Sequence, residues 1–174
     1  MFTKSESFRK SRDGIRLFDA VDFAGMHRAG AVASKILDDI CELVQPGQAT
    51  AELDKFVEEQ IKLSGATSAT IGYRGYQHAS CISVNHVVCH GIPSEKRLKD
   101  GDILNIDVTV IVDGWYGDTS RMYVAGTPSR KAQRLIDVTH ASLMRGIKEI
   151  KPGNTFGDIG HAIQSYVESE RMSV

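Results

Sequence analysis

The stretch GDILNIDVTVIVDGWYGDTSRMYV, residues 101–124, restricts the fold more than any other part of the chain. Asp113-Gly114 separates two β-rich runs, and an Asp-Gly pair supplies the positive φ angles that a two-residue hairpin turn requires. With those two residues as the loop, Val112 faces Trp115, Thr109 faces Asp118 and Asp107 faces Ser120. One face of the hairpin then collects Asn105, Asp107, Thr109, Asp118 and Ser120, while Leu104, Ile106, Val108 and Val110 point the other way. One polar face and one apolar face make the register self-consistent. A one-residue slip, or a bulge at Gly117, would break it.

This register makes Asp107 and Asp118 diagonal neighbours on one face, ~7–8 Å apart at the backbone. Two carboxylates so placed repel at neutral pH unless one takes a proton or a cation sits between them. Their reach suits a pair of divalent metals ~3.5–4 Å apart. A glycosidase-like acid and base pair also uses facing carboxylates, and a solvated sheet face carrying two unrelated aspartates is the third reading. Two carboxylates do not complete a metal site unaided, so further ligands must come from elsewhere.

Around the hairpin the periodicity is helical. Apolar residues at 29, 32, 33, 36, 37, 40, 43 and 44 form the stripe of an amphipathic helix within Asp19 to Val44, which Pro46-Gly47 ends. A second helix is expected from Thr50 to about Ser64, burying Leu53, Phe56, Val57 and Ile61. Helical spacing returns from Ser129 to Ile150, with Leu135, Ile136, Leu143, Met144, Ile147 and Ile150 expected to face inward. Pro152-Gly153 stops that helix. Thr155 and Asp158 then form a capping-box pattern ahead of a stripe of Ile159, Ala162, Ile163, Tyr166 and Val167.

These two helical blocks are one unit repeated. CELVQPGQATAELDKFVEEQI aligns with IKEIKPGNTFGDIGHAIQSYV at a constant offset of 106 residues, placing Pro46 on Pro152, Gly47 on Gly153, Glu52 on Asp158 and Leu53 on Ile159. The first copy is followed by 63 residues of largely β character, Ala66 to Pro128, and the second is not. The 174 residues fit one domain, yet the repeat predicts a domain and a half. Residues 1–18 read as a flexible basic arm with no apolar leader, and residues 19–174 as the body.

Balanced charge, 21 basic against 22 acidic residues, gives no electrostatic case for nucleic acid or an anionic membrane as the main partner. No stretch approaches the ~20 apolar residues that span a bilayer. The three cysteines, Cys41, Cys81 and Cys89, are odd in number and lack a CxxC spacing, which points to reduced thiols in the cytoplasm. In NHVVCHGIP, the β-branched surroundings favour a strand ending in a turn, so His86 and His90 lie ~13 Å apart, too far for one metal. His90, beside the turn, is the better placed to meet a ligand, with a structural histidine as the alternative. Cys89 reads as a small core residue. Tyr73 and Tyr76 flank Gly75 and either line a pocket or simply pack.

CISVNHVVCHGIP, followed by LKDGDILNIDVTVIVDGWYGDTSRMYV, closely resembles the methionine aminopeptidases of the bacterial type I class. The likeness runs from about Asp19 to Val174 and takes in YRGY at Tyr73 to Tyr76. It implies an α+β pita-bread fold, two pseudo-symmetric halves around an antiparallel sheet with outer helices, which accounts for the repeat. It further implies that Asp107 and Asp118 are metal ligands and that His90 contacts substrate near the scissile amide. Tyr73, Tyr76 and Cys81 match positions lining the methionine side-chain pocket, and Thr70 falls where some members carry cysteine. The implied cofactors are two divalent ions (Co, Mn, Fe or Zn). The implied substrate is the N-terminal methionine of nascent, ribosome-associated polypeptides, taken by a monomeric cytoplasmic hydrolase.

The family's remaining ligands, one histidine and two glutamates, and a second substrate-contacting histidine belong to its second half. That half should begin after Ser173-Val174, and His140, His161, Glu168 and Glu170 match none of its motifs. The chain is therefore expected to be an N-terminal portion with an incomplete catalytic site, inactive alone. A prolidase-like peptidase and a non-catalytic binding module on the same fold are the alternatives. CHGIP and YRGY favour the methionine enzymes over prolidase, and both aspartates with His90 speak against a decayed site.

Overall fold

The computed structural model describes residues 9–174. Helix α1, Ala20–Asp39, begins at Asp19, whose carboxylate accepts from the Val21 and Asp22 N–H groups at 2.8 and 3.2 Å. Asp22 reciprocates by accepting from the Asp19 N–H at 3.1 Å. These bonds satisfy donors that the first helical turn leaves open. The stripe Ala29, Ala33, Ile36 and Leu37 is buried, and the helix tightens into a 3₁₀ turn, Ile40–Leu43, before Pro46. Helix α2, Thr50–Leu63, buries Leu53, Val57 and Ile61.

The sheet is antiparallel throughout. Strand β3, Asp102–Val112, is its centre, with β4, Trp115–Ala125, along one side. Strands β1, Thr67–Ser68, and β2, Ser80–Val84, share its other side end to end. The β3–β4 register pairs Val112 with Trp115, Thr109 with Asp118 and Asp107 with Ser120, and it continues unbroken to Asp102 and Ala125. Asp113 and Gly114 have φ of 51° and 82°, the positive values a two-residue turn demands. Leu104, Ile106, Val108 and Val110 are fully buried against α1 and α2. Each such side chain contributes roughly 1.5–3 kcal/mol.

Gly117 marks where α1 crosses β4: a Cβ there would lie 2.2 Å from the Ala29 carbonyl oxygen. The two backbones touch, and only glycine permits it. Arg121 pairs with Asp38, and the Tyr123 hydroxyl donates to the Leu37 carbonyl, tying the same two elements together further along.

Helix α3, Arg130–Lys148, and helix α4, Phe156–Ser169, form an antiparallel pair joined through Pro152-Gly153. The 106-residue offset holds at the level of backbone. Helices α2 and α4 are both 14 residues long, with N-caps at Ala49 and Thr155. Gly47 and Gly153 take φ of 92° and 93°. Glu52 accepts from the Ala49 N–H, and Asp158 likewise from the Thr155 N–H. The α+β class with an antiparallel sheet and outer helices is as the sequence implied.

Three expectations are corrected. Cys89, expected as a small core residue, is exposed, because the chain has already left the sheet at Asn85. The strand predicted through His86 to Cys89 stops at Val84, because Asn85 adopts φ 55° and turns the chain out of the sheet. The stripe predicted to face inward on α3 is mostly on the surface: Leu135, Leu143, Met144, Ile147 and Ile150 are exposed, and Ile136 is half-buried. The reason is which neighbour α3 meets. It packs on α4 through Val138, Ser142 and Gly146, the last fitting against the Ile163 side chain. The stripe that α1 lays on β3 and β4 has no comparable sheet over it in α3 among the described residues.

Of the arm expected over residues 1–18, residues 1–8 lie outside the described residues. Residues 9–18 include a Lys10–Arg16 bridge around a turn, and the Arg16 guanidinium sits 4.7 Å from the Phe18 ring centroid. Among the described residues no helix is long and apolar enough to cross a membrane.

Candidate functional site

The site lies on the face of the sheet opposite the core. Alternation along β3 and β4 brings Asn105, Asp107, Thr109, Asp118 and Ser120 to that face, as the register requires. Thr109 Oγ1 donates to Asp118 Oδ1 at 2.9 Å, and Asn105 Nδ2 donates to Ser120 Oγ at 3.2 Å. Burial pushes the Asp107 carboxyl above its ordinary value, and the Asp118 charge adds to the shift. The His90 charge and the Val108 N–H oppose it without cancelling it. The Asp118 charge is thus felt at Asp107, whose charged form is disfavoured without a counter-ion.

His90 reaches this face through a fold-back absent from the sequence reading. After the turn at Asn85 the chain returns along β2, with Ile82 N–H donating to the Gly91 carbonyl at 2.8 Å and Gly91 N–H donating to Ser83 Oγ at 3.0 Å. A Cβ on Gly91 would lie 2.2 Å from the Ile82 carbonyl oxygen, so this contact also requires glycine. His90 itself takes φ 54°. Backbone strain of this kind in a non-glycine residue persists only where the surroundings enforce it.

Cys81 pairs with Asp107 across β2 and β3, which places its half-buried side chain on the same face. Burial raises the Cys81 thiol, and the neighbouring Tyr76 hydroxyl counteracts that only in part. Burial and the same contact push the Tyr76 phenol upward. Tyr73 stands apart at 65% exposure, with the Arg74 guanidinium 5.6 Å from its ring centroid. The structure thus gathers Asp107, Asp118, His90, Cys81 and Tyr76, and leaves Tyr73 at the rim. Thr70 donates its hydroxyl to the His78 carbonyl at 2.7 Å. Beside Asn105, a cavity of about 350 Å³ opens between this face and α3, bounded by Ser83, His86, Met122 and Ile136 among others.

One functional neighbour escaped the sequence reading. Asp54 is a carboxylate on the inward stripe of α2, between Leu53 and Val57, and it is 7% exposed. A charge at a core position was the available signal.

The donors on this face are hard oxygen ligands with an imidazole close by, a set that suits divalent cations. Among the described residues no cluster of three or more His, Cys, Asp and Glu side chains is arranged to hold a metal ion. The fit is therefore to part of a site.

Residues 24–173 match the profile of metallopeptidase family M24. The chain belongs to that family. It is 49% identical over 160 residues to a methionine aminopeptidase of Rickettsia prowazekii, covering 92% of this chain and 62% of that protein. It therefore spans less than two thirds of the length of the curated relatives it matches. The crystal structure of the methionine aminopeptidase from Rickettsia prowazekii superposes with a TM-score of 0.88 at 48% identity, over 89% of this chain and 62% of that one. A prolidase from Pyrococcus furiosus shares the fold alone, with a TM-score of 0.78 at 21% identity over 87% of this chain and 44% of that one. The architecture of this M24 chain is that of the pita-bread fold.

Proposed function

We propose that this chain contributes the N-terminal part of a metallo-aminopeptidase site that removes the N-terminal methionine of nascent, ribosome-associated polypeptides in the cytoplasm, acting as a monomer. The observation that carries this reading is the pair of carboxylates, Asp107 and Asp118, held on one face by an unbroken hairpin register. Likeness to enzymes named methionine aminopeptidase supports it.

In this reading Asp107 and Asp118 hold divalent cations, drawn from Co, Mn, Fe or Zn, which carboxylates and imidazole accept with modest discrimination. When bound, such ions act as Lewis acids on the first peptide bond. The chain's own residues orient the substrate. His90, fixed by the fold-back on β2, hydrogen-bonds near the scissile amide. Tyr73, Tyr76 and Cys81 line the methionine side-chain pocket, where sulfur at an aromatic edge is favourable. Thr109 and Asn105 hold Asp118 and Ser120 in rotamers facing the site.

Titration calorimetry with MnCl2 on the parent chain, Asp107→Asn and Asp118→Asn tests the ligand assignment. Weak binding in the parent, lost in both variants, is expected. Equal binding in all three removes the assignment. Methionine release from Met-Ala-Ser with added cobalt or manganese tests the activity. The chain alone is expected to give no turnover, since two carboxylates and one imidazole leave the donor set short. A fusion to the remaining length of the Rickettsia prowazekii protein is expected to release methionine, and Asp107→Asn in that fusion to abolish release. A fully active Asp107→Asn fusion refutes the reading.

A further inference from the structure

Asp54 is a buried carboxylate that the proposed chemistry leaves unused. One of its oxygens accepts from the Ser80 N–H at 2.9 Å and from Ser80 Oγ at 2.7 Å, and the other lies 3.0 Å from His78 Nδ1. These partners are 24 and 26 residues away in sequence. They join α2 to His78, which lies between Tyr76 and β2, and to Ser80, the first residue of β2. A buried carboxylate is costly unless its acceptor sites are filled, so this one imposes a fixed position on whatever fills them.

The segment that Asp54 holds is also what holds Tyr76. The Tyr76 hydroxyl donates to the Ser80 carbonyl at 2.8 Å, and its ring meets the His78 ring edge-on, with centroids 5.5 Å apart. Thr70 Oγ1 donates to the His78 carbonyl at 2.7 Å, bracing the segment from the other side. Cys81, the next residue after Ser80, has Tyr76 as an electrostatic neighbour and pairs with Asp107 in the sheet. Helix α2 is thus connected through one carboxylate to both walls of the candidate pocket.

We propose that Asp54 is a positioning residue for the pocket bounded by Tyr76 and Cys81, setting their spacing by fixing His78 and Ser80. The geometry stands without a substrate; the identity of the side chain admitted there rests on the methionine aminopeptidase reading. Loss of the carboxylate frees the segment at 78–80, opens the Tyr76–Cys81 contact and exposes the thiol.

The test is the rate of alkylation by N-ethylmaleimide at each cysteine, read by mass spectrometry on the full chain. Cys41 is exposed and remote in sequence from the network, so it serves as the internal reference. Cys81 is expected to react slowest of the three in the parent. Asp54→Ala is expected to raise the Cys81 rate about tenfold relative to Cys41, since a thiol's reactivity follows its exposure. Asp54→Asn keeps the shape and one acceptor, and it is expected to give a rise of about threefold. A merely structural role would move Cys41 and Cys81 in parallel through general loosening. Parallel acceleration of Cys41 and Cys81, a Cys81 rate unchanged in both variants, or an equal Cys81 rise in Asp54→Ala and Asp54→Asn, which would trace to loss of the Asp54 charge that acts on this thiol, overturns the proposal. A second arm adds L-methionine amide to the parent. Slowing of Cys81 alone supports the substrate reading. No slowing, with the Asp54 effect intact, removes that reading and leaves the positioning role standing.

Discussion

Gly117→Ala is a one-carbon change at the tightest contact between helix and sheet. The added Cβ would lie 2.2 Å from the Ala29 oxygen, 2.3 Å from the Ala29 carbonyl carbon and 2.7 Å from the Gly30 nitrogen. All three are backbone atoms inside α1, so no side chain can swing aside. Ordinary contact begins near ~3.5 Å, so α1 must move off β4 by roughly 1 Å. That movement loosens Ala29, Ala33 and Leu37, none more than 1% exposed. Overpacking typically costs about 1–3 kcal/mol, and a rigid backbone obstacle belongs at the upper end. At about 3 kcal/mol, a chain of this size loses roughly 6–12 °C in Tm. The partner glycine supplies the control. A Cβ at Gly30 meets nothing within 4 Å, so Gly30→Ala in mid-helix is expected to stabilise by about 0.5–1 kcal/mol. Thermal unfolding followed by circular dichroism at 222 nm (the helix band) reads both variants side by side. A Gly117→Ala Tm within about 1 °C of the parent, or a Gly30→Ala variant as damaged as Gly117→Ala, would falsify the steric account.

Other perturbations act on separate parts of the molecule. Burial alone would raise the Asp102 carboxyl, but hydrogen bonds from the Asn85 side chain and the Lys99 N–H, with the charges of Lys96 and Lys99, outweigh it and hold the group below 3.8. A depressed carboxylate stabilises the fold above its unfolded value and stops doing so as pH falls through its folded value. Asp102→Asn should therefore lower Tm at pH 7 and leave a smaller further loss below pH 3.8 than the parent shows. Asp19→Ala removes the cap of α1, and a fall in Tm of roughly 2–4 °C is expected from about 1 kcal/mol. Leu143→Glu falls on the exposed stripe of α3, where Leu143 is 52% exposed. Its Tm should stay within about 2 °C of the parent, and a larger fall would show that the stripe is packed rather than on the surface.

What could be read from sequence here was local. The hairpin register needed only Asp113-Gly114 and a period-two pattern, because side-chain direction along a strand is set by neighbours one and two residues away. The capping pair of Thr155 and Asp158, and the repeat that aligns α2 with α4, are likewise set within a few residues. The two aspartates were placed together correctly for the same reason: both lie within one hairpin. The position of His90 depends on Gly91 touching β2, which no local pattern specifies.

The tertiary structure decided whatever depends on which surfaces meet. The stripe of α3 has the same spacing as that of α1, yet one is mostly exposed and the other buried, because periodicity specifies a face without specifying its partner. Gly117 reads as a weak strand residue until the Ala29 backbone is found against it. Asp54 reads as an anomaly in an apolar stripe until Ser80 and His78, more than twenty residues away, supply its hydrogen bonds. By itself the amino-acid order determined the hairpin, its polar face and the paired carboxylates, through bonds and sterics that act over short stretches of chain. Burial, shifted protonation and the bracing of the pocket came only with packing, since each depends on atoms brought together across the fold.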